Sequence, residues 1–287
     1  MNIILFSRRQ INHRASQLET ILSAIEGLGL EYCINEDFAD VVEFLTQRVI
    51  AAERRYVKFP DSCDDSVLVT VGGDGTLLDA VGMLQGRQLP VVGINCGRLG
   101  YLTADDGDGI AELFDRLVRN EVCFERRQML SVSGDIETSC LALNEVTIHR
   151  HGATMISVEA LINDNTIATY HGDGLIISTP TGSTAYSLSV GGPVVDPMCR
   201  CFILSPLAPH NLTMRPVVVP DNVHITLRLS ARGGEAFLSA DNRTFTLRDG
   251  ACIELQPAAE QLILATPHNN TFYDTLREKM MWGVDKR

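Results

Sequence analysis

Asp74 is the only charged residue in Val69-Thr-Val-Gly-Gly-Asp-Gly-Thr-Leu-Leu78, and it stands among Gly72, Gly73 and Gly75. Glycines accept positive φ and let another molecule approach the main chain closely. Their amides, at the start of a helix, would form an anion site. A carboxylate held beside such amides suits phosphoryl transfer. The amides hold the donor's phosphates while the carboxylate orients and deprotonates an acceptor hydroxyl, help worth about 10²–10⁴ in rate. Taken alone, an aspartate among glycines also serves to stabilise its own turn.

A second constellation runs from Tyr170 to Pro193, YHGDGLIISTPTGSTAYSLSVGGP. It sets Asp173 between glycines and then gathers hydroxyls at Ser178, Thr179, Thr181, Ser183 and Thr184. A helix N-cap needs only one hydroxyl, so this density reads as a donor surface. Tyr186 offers a ring to stack on a flat ligand, although a half-buried core tyrosine has the same composition. Asn144-Glu145 precedes a strand and could bind the paired hydroxyls of a ribose. By the same bare reading it is a solvated strand entrance, and Asp241-Asn242 is a hairpin turn.

These residues need elements to hold them. Ser66–Val71 is an unbroken, β-branched run, as a strand covered on both faces would be. Leu77, Leu78, Val81 and Leu84 then follow at helical spacing. The pattern continues with a strand at Ile3–Phe6, a helix over 12–28, a strand at Tyr32–Ile34, a helix over 38–52, a strand at Val91–Asn95 and a helix over 110–119. Strands alternating with helices predict a parallel, doubly covered sheet that binds ligands beyond its carboxyl edge. Both Gly72–Gly75 and Gly93–Gly100 would lie along that edge. After about residue 122 short period-2 stretches take over, among them Val146–His149, Val223–Leu229 and Ala251–Leu255. Leu161–Tyr170 reads as a hairpin about Asn163–Asn165. That is the texture of an antiparallel β domain. Residues 271–281 turn helical again.

Composition narrows the class. The 287 residues, 45% hydrophobic, suffice for one large or two modest cores. No apolar run approaches the roughly 20 residues of a membrane span, and Met1–Phe6 is too short and unflanked for a signal peptide. A net charge of −12 argues against a general nucleic-acid binder. The eight cysteines show no CxxC, and read as reduced thiols of a cytoplasmic protein, mostly in the core. A zinc site through Cys199, Cys201 and His210 would be a loose pattern. Lysine occurs only at Lys58, Lys279 and Lys286. GxxxxGK[ST] is therefore impossible around Asp74, and GxGxxG is absent too.

Gly72-Gly-Asp-Gly-Thr76, Asn144-Glu145, Asp173-Gly174 and Thr179-Pro-Thr-Gly-Ser-Thr-Ala-Tyr186, in this order, resemble the bacterial NAD kinase (ATP-NAD kinase) family. GINCGRLGYLT and Arg215–Pro220 match its habits, and the resemblance runs to about residue 265. GGDGT alone is shared with lipid and sugar kinases, so that reading stays as an alternative, beside a silent NAD(P)-binding regulator. The resemblance implies transfer of the γ-phosphate of ATP to the 2′-hydroxyl of the adenosine ribose of NAD, with Mg²⁺ or Mn²⁺. It implies that Asp74 is the base and that Gly73, Gly75 and Thr76 cradle phosphates. Asn144 and Glu145 would bind the adenosine part, and Asp173 would bind toward the nicotinamide end. Thr181, Thr184, Ala185, Tyr186 and Ser189 would line the adenine pocket. Tyr101 replaces the family's usual Phe as an aromatic wall, and Asp241-Asn242 falls where members vary. The implied architecture is an α/β domain at 1–121, an all-β, antiparallel, sandwich-like domain at 122–266, and a C-terminal segment at 267–287 returning to the first. A homodimer or homotetramer in the cytoplasm is expected, with NAD and ATP as small-molecule partners, no nucleic acid and no membrane.

Overall fold

The computed structural model describes residues 1–9, 13–96, 100–103, 109–267 and 271–283. Its contacts divide the chain into two compact units, 1–126 with 262–287, and 127–261. In the first unit β1 (Asn2–Phe6), α1 (Ala15–Gly27), β2 (Glu31–Asn35), α2 (Glu36–Thr46), β3 (Arg55–Tyr56), β4 (Ser66–Val71), α3 (Asp74–Leu84), β5 (Pro90–Ile94) and α4 (Ile110–Val118) follow one another. β4 is buried along its whole length, as its unbroken apolar run requires. It pairs in parallel with β1 on one side and with β5 on the other. β1 pairs in parallel with β2, and β2 with the two-residue β3, which the sequence pattern missed. Beyond β5 the sheet gains Ile263 and Leu264 from a late strand, again in parallel.

The helices bury one stripe each. Leu77, Ala80, Val81 and Leu84 of α3 are buried at i, i+3, i+4 and i+7. α2 stops earlier than expected, at Thr46 rather than Ala52. Gln47 turns left-handed at φ 58°, and the Glu43 side chain accepts the Ile50 N–H at 2.7 Å, drawing the chain out of the helix. The expected start of α1 at Asn12 lies outside the described residues.

In the second unit two antiparallel sheets share one core. The strands are β6 (Val122–Gly134), β7 (Cys140–Ala142), β8 (Glu145–Arg150), β9 (Ile156–Ile162), β10 (Asn165–Gly172) and β11 (Gly174–Ser178). After the short helix α5 (Tyr186–Ser189) come β12 (Cys201–Leu207), β13 (Val217–Pro220), β14 (Ile225–Ser230), β15 (Glu235–Ala240), β16 (Arg243–Arg248) and β17 (Cys252–Pro267). One sheet runs β13-β12-β11-β8-β15-β16, and the other pairs β10, β9, β14 and β17 in turn. Ile148, Ile177, Phe202 and Leu238 from the first share a cluster with Val158, Ile225, Leu227 and Ile253 from the second. The β9–β10 hairpin turns on Asn163 and Asp164, both with positive φ, the backbone of a tight hairpin loop. Residues 262–267 of β17 belong to the first unit, as does α6 (Phe272–Met280), which opens on a Thr271–Asp274 capping box. None of the eight cysteines is in a disulfide and none is fully buried, so the expectation of core thiols is not met.

Candidate functional site

In the first unit the loops after β4 and β5 leave the same sheet edge, because Val71 and Ile94 are register partners and Gly72 N–H donates to the Ile94 carbonyl at 2.8 Å. α3 begins at Asp74, whose carboxylate is received by the other loop. Tyr101 N–H donates to Oδ2 at 2.6 Å, Leu102 N–H to Oδ1 at 3.1 Å, and the Thr103 hydroxyl to Oδ1 at 3.2 Å. A carboxylate has about four acceptor directions; three are taken among the described residues, which leaves one. Gly100 must be glycine here, since a Cβ would lie 1.7 Å from Asp74 Oδ1. Residues 97–99 of the same glycine-containing stretch lie outside the described residues.

The three glycines around Asp74 have separate roles. Only Gly72 has positive φ, at 152°, and a Cβ there would strike Thr76 Oγ1 at 2.4 Å. Gly73 is extended at φ −83° and ψ −177°, and precedes the helix. Gly75 is helical, and its carbonyl accepts from Arg8 Nη2 at 3.0 Å. Arg8, which the sequence reading passed over, also pairs with Asp79 one turn along α3.

The second unit holds a cleft of about 490 Å³, within the range of small-molecule sites. Glu145, Asp173, Tyr186, Asp241, His149 and Arg150 are among its walls. Asn144 and Glu145 enter β8 with their backbone clamped from two sides. Asp241 accepts the N–H groups of Leu143, Asn144 and Glu145 at 2.7, 2.8 and 3.2 Å, and its own N–H donates to the Glu145 carbonyl at 3.0 Å. Opposite, Thr179 N–H donates to the Asn144 carbonyl at 2.9 Å, and a Cβ on Gly182 would lie 2.1 Å from that oxygen. The Asn144 side-chain amide has no partner among the described residues, and so remains available to a ligand.

Glu145 is the unusual acid. Its Oε2 is sealed from solvent and unpartnered. Burial, with the Asp241 charge behind it, pushes its carboxyl up to about 8, against one opposing hydrogen bond from the Tyr186 N–H. Burial also holds Asp241 above the usual carboxylate range, with three amides and Arg243 opposing part of that rise and favouring its charged form. The charge of the pair therefore rests on Asp241 and the proton on Glu145. Below pH about 4.5 Glu145 is protonated in folded and unfolded chains alike. As pH rises toward 8 only the unfolded chain releases the proton, and stability falls. Glu145→Gln, which imitates the protonated acid, removes this loss. Denaturant midpoints recorded from pH 5 to 8 are expected to decline less in the variant, by on the order of a few kcal/mol at the alkaline end. Parallel pH curves would count against the assignment.

Asp173 is held by Arg150, whose Nε lies 2.6 Å from Oδ1. Thr181 is buried in a short 3₁₀ turn, Thr184 and Ala185 are half-buried, and Tyr186 and Ser189 are exposed on α5. The expected donor surface is smaller than its hydroxyl count. Ser178 and Thr179 bond to the carbonyls of Asn144 and Leu143, and Ser183 bridges the Val195 backbone. Ser178 and Thr179 thus fasten the loop to the residues leading into β8, and Ser183 fastens it to the segment at Val195. Asp241, Arg150, Gly100 and Thr103 are the site residues that sequence reasoning missed. Asp241 left a trace as an aspartate in a turn, and Gly100 and Thr103 as part of the second glycine-containing stretch and its motif. Gly73, Asp74, Gly75, Thr76 and Tyr101 thus gather in one unit, and the remaining candidates in the other. Among the described residues no three metal-binding side chains cluster, at Cys199 and Cys201 or elsewhere. No helix of the described residues is long and apolar enough to cross a membrane.

Comparison with known proteins covers both units. A family model described as ATP-NAD kinase N-terminal domain matches residues 6–122, and one described as ATP-NAD kinase C-terminal domain matches residues 143–267. The chain is 37% identical to an NAD kinase of Porphyromonas gingivalis over 99% of both proteins. It is 33% identical to one of Bacteroides fragilis over 100% of both. Among solved structures, an NAD kinase from Archaeoglobus fulgidus in complex with ATP superposes with a TM-score of 0.76 at 26% identity, covering 98% of this chain and 99% of that one. Yeast NADH kinase complexed with NADH superposes at 0.84 over 100% of this chain and 89% of its own, and at 23% identity shows the fold alone.

Proposed function

The chain belongs to the NAD kinase family, and from that premise we propose how its residues divide the work of phosphorylating NAD. The enzyme is a kinase acting on NAD, with ATP as the other substrate. Neither a lipid or sugar kinase nor a silent regulator is favoured, since models and relatives of one activity match both halves. The observation that carries the division is the grip on Asp74, in which two amides and a hydroxyl leave one acceptor direction open. That direction receives the 2′-hydroxyl of the adenosine ribose. Asp74 orients the oxygen and takes its proton as the bond to the γ-phosphorus forms.

Gly73, Gly75 and Thr76, at the start of α3, cradle the phosphates. Tyr101 supplies a wall with its ring and a hydrogen bond to Asp74 with its amide. In the second unit Asn144 and Glu145 bind the adenosine part, the first through its side-chain amide and the second through its carboxyl group on the cleft wall. Thr181, Thr184, Ala185, Tyr186 and Ser189 form the adenine pocket, and Asp173 binds toward the nicotinamide end. The described residues offer no resident metal cage. Mg²⁺ or Mn²⁺ therefore enters as part of the metal–ATP substrate, the usual position of a magnesium ion bound mainly through phosphates. A homodimer or homotetramer in the cytoplasm completes the reading, the compartment being supported by eight cysteines with no disulfide among them.

The test is purified protein with NAD, Mg²⁺ and either ATP or polyphosphate, read through an NADP-specific dehydrogenase. NADP is expected with ATP, and the polyphosphate lane reports how general the donor is. Absence of product from both NAD and NADH, with Mg²⁺ or Mn²⁺, would overturn the reading.

A further inference from the structure

Between residues 59 and 278 the sequence contains no lysine. The fold returns one from the far end of the chain. Lys279, near the end of α6, lies over the Tyr101 ring with Nζ 4.1 Å from its centroid. Tyr101 is the residue whose amide holds Asp74 Oδ2. Asp74 is near enough that its charge acts on both the Tyr101 phenol and the Lys279 ammonium. Both residues belong to the first unit.

Two features separate Lys279 from an ordinary surface lysine. First, it is half-buried and on the inward side of α6, one turn from the buried Leu276, whereas a surface lysine extends its stem toward water. Burial lowers its proton affinity, and Asp74 opposes that shift. Secondly, among the described residues its ammonium makes no hydrogen bond and no ion pair, only the ring contact. The neighbouring cations are committed: Arg277 pairs with Asp274, and Arg8 with Asp79 and the Gly75 carbonyl. Among the described residues Lys279 has three N–H donors free over the Tyr101 ring, within the field of the Asp74 carboxylate.

We propose that Lys279 is a catalytic residue that binds the terminal phosphoryl group of the phosphoanhydride donor. The inference rests on the reading of Asp74 as base. In the step, the ribose 2′-oxygen forms a bond to the γ-phosphorus and its proton passes to Asp74. The bond from the γ-phosphorus to the β,γ-bridging oxygen breaks, and ADP leaves with that electron pair. Lys279 donates hydrogen bonds to the non-bridging oxygens, where charge spreads in a loose transition state, and keeps its own proton throughout. The Tyr101 ring face holds the ammonium in place by cation–π attraction when no donor is bound.

The test compares Lys279→Met, Lys279→Arg and, on the same helix but away from Asp74's loop, Arg277→Gln. Lys279→Met is expected to lose about 10²-fold in kcat/KM for ATP, with the KM for NAD unchanged. Lys279→Arg should recover most of the loss, and Arg277→Gln should match the wild type. The polyphosphate arm should show the same loss wherever the wild type uses that donor, because the shared group is the terminal phosphoryl. Unchanged ATP kinetics in Lys279→Met would overturn the inference. So would an equal loss in Lys279→Arg accompanied by a lower unfolding temperature, which marks a structural role. Equilibrium binding of Mg–ATP without NAD keeps this result apart from the NAD kinase reading. A weaker complex in Lys279→Met supports the phosphate contact even if NAD proves not to be the acceptor, and equal binding with equal turnover refutes it.

Discussion

Asp74→Asn is expected to bind NAD and to lose about 10²–10⁴ in kcat, the share of rate that a positioned base provides. The geometry makes the substitution more disruptive than its size suggests. Two amide N–H groups converge on two different oxygens, Tyr101 on Oδ2 and Leu102 on Oδ1. Whichever oxygen becomes an NH₂ group, one backbone donor then faces another donor. The remaining amide oxygen is far too weakly basic to take a proton, so no base is left. Gly100→Ala approaches the same point sterically, because its Cβ would fall 1.7 Å from Oδ1 and 2.4 Å from Thr103 Oγ1. It should depress kcat without altering any group that meets substrate. Steady-state rates with NAD and ATP, beside equilibrium binding of NAD, decide the matter. Near-normal turnover of Asp74→Asn would refute its role as base.

Asp241→Ala should have the largest effect on stability, about 3–5 kcal/mol. One side chain satisfies three backbone amides at the entrance to β8, and its removal leaves all three without an acceptor in a nearly closed place. Asp241→Asn should cost less. Its single oxygen can still serve Asn144 and Glu145, which share Oδ1, so only Leu143 is orphaned. Chemical denaturation of the three proteins would rank them wild type, Asn, Ala. The KM for NAD should rise about tenfold or more in the Ala variant, as the Asn144 and Glu145 side chains lose their fixed origin. Equal stability of all three would remove Asp241 from this role.

Much of the architecture can be read from local pattern. β4 announces itself because burial on both faces demands an unbroken apolar run, and α3 because its inward residues recur every three or four positions. β3 could not be read, since two residues carry no period. Residues 262–267 join the first sheet only by a long-range pairing that composition does not encode. Asp74 was legible because glycine and carboxylate together are chemically unusual, whereas the Asn144-Glu145 pair, with no glycine beside it, stood out only through the family resemblance. Asp241 was not, because what makes it matter is the location of three amides almost a hundred residues earlier. Counting hydroxyls misled for a related reason: a serine bonded to a carbonyl and a serine facing a ligand look the same in a sequence.

The unit that carries Asp74 is assembled from two separated pieces of chain, 1–126 and 262–287, while 127–261 is continuous. During synthesis the continuous unit is therefore complete before the sheet beside β5 receives its last strand and before α6 reaches Tyr101. Domains tend to fold as they emerge, so the β unit matures first although its residues come later than most of the unit that carries Asp74. The unit around the Asp74 turn stays unfinished until residues 262–280 have left the ribosome. A nascent chain completes the unit with the cleft ahead of the unit with Asp74, and a chain ending at residue 261 lacks the last strand and the last helix of the latter.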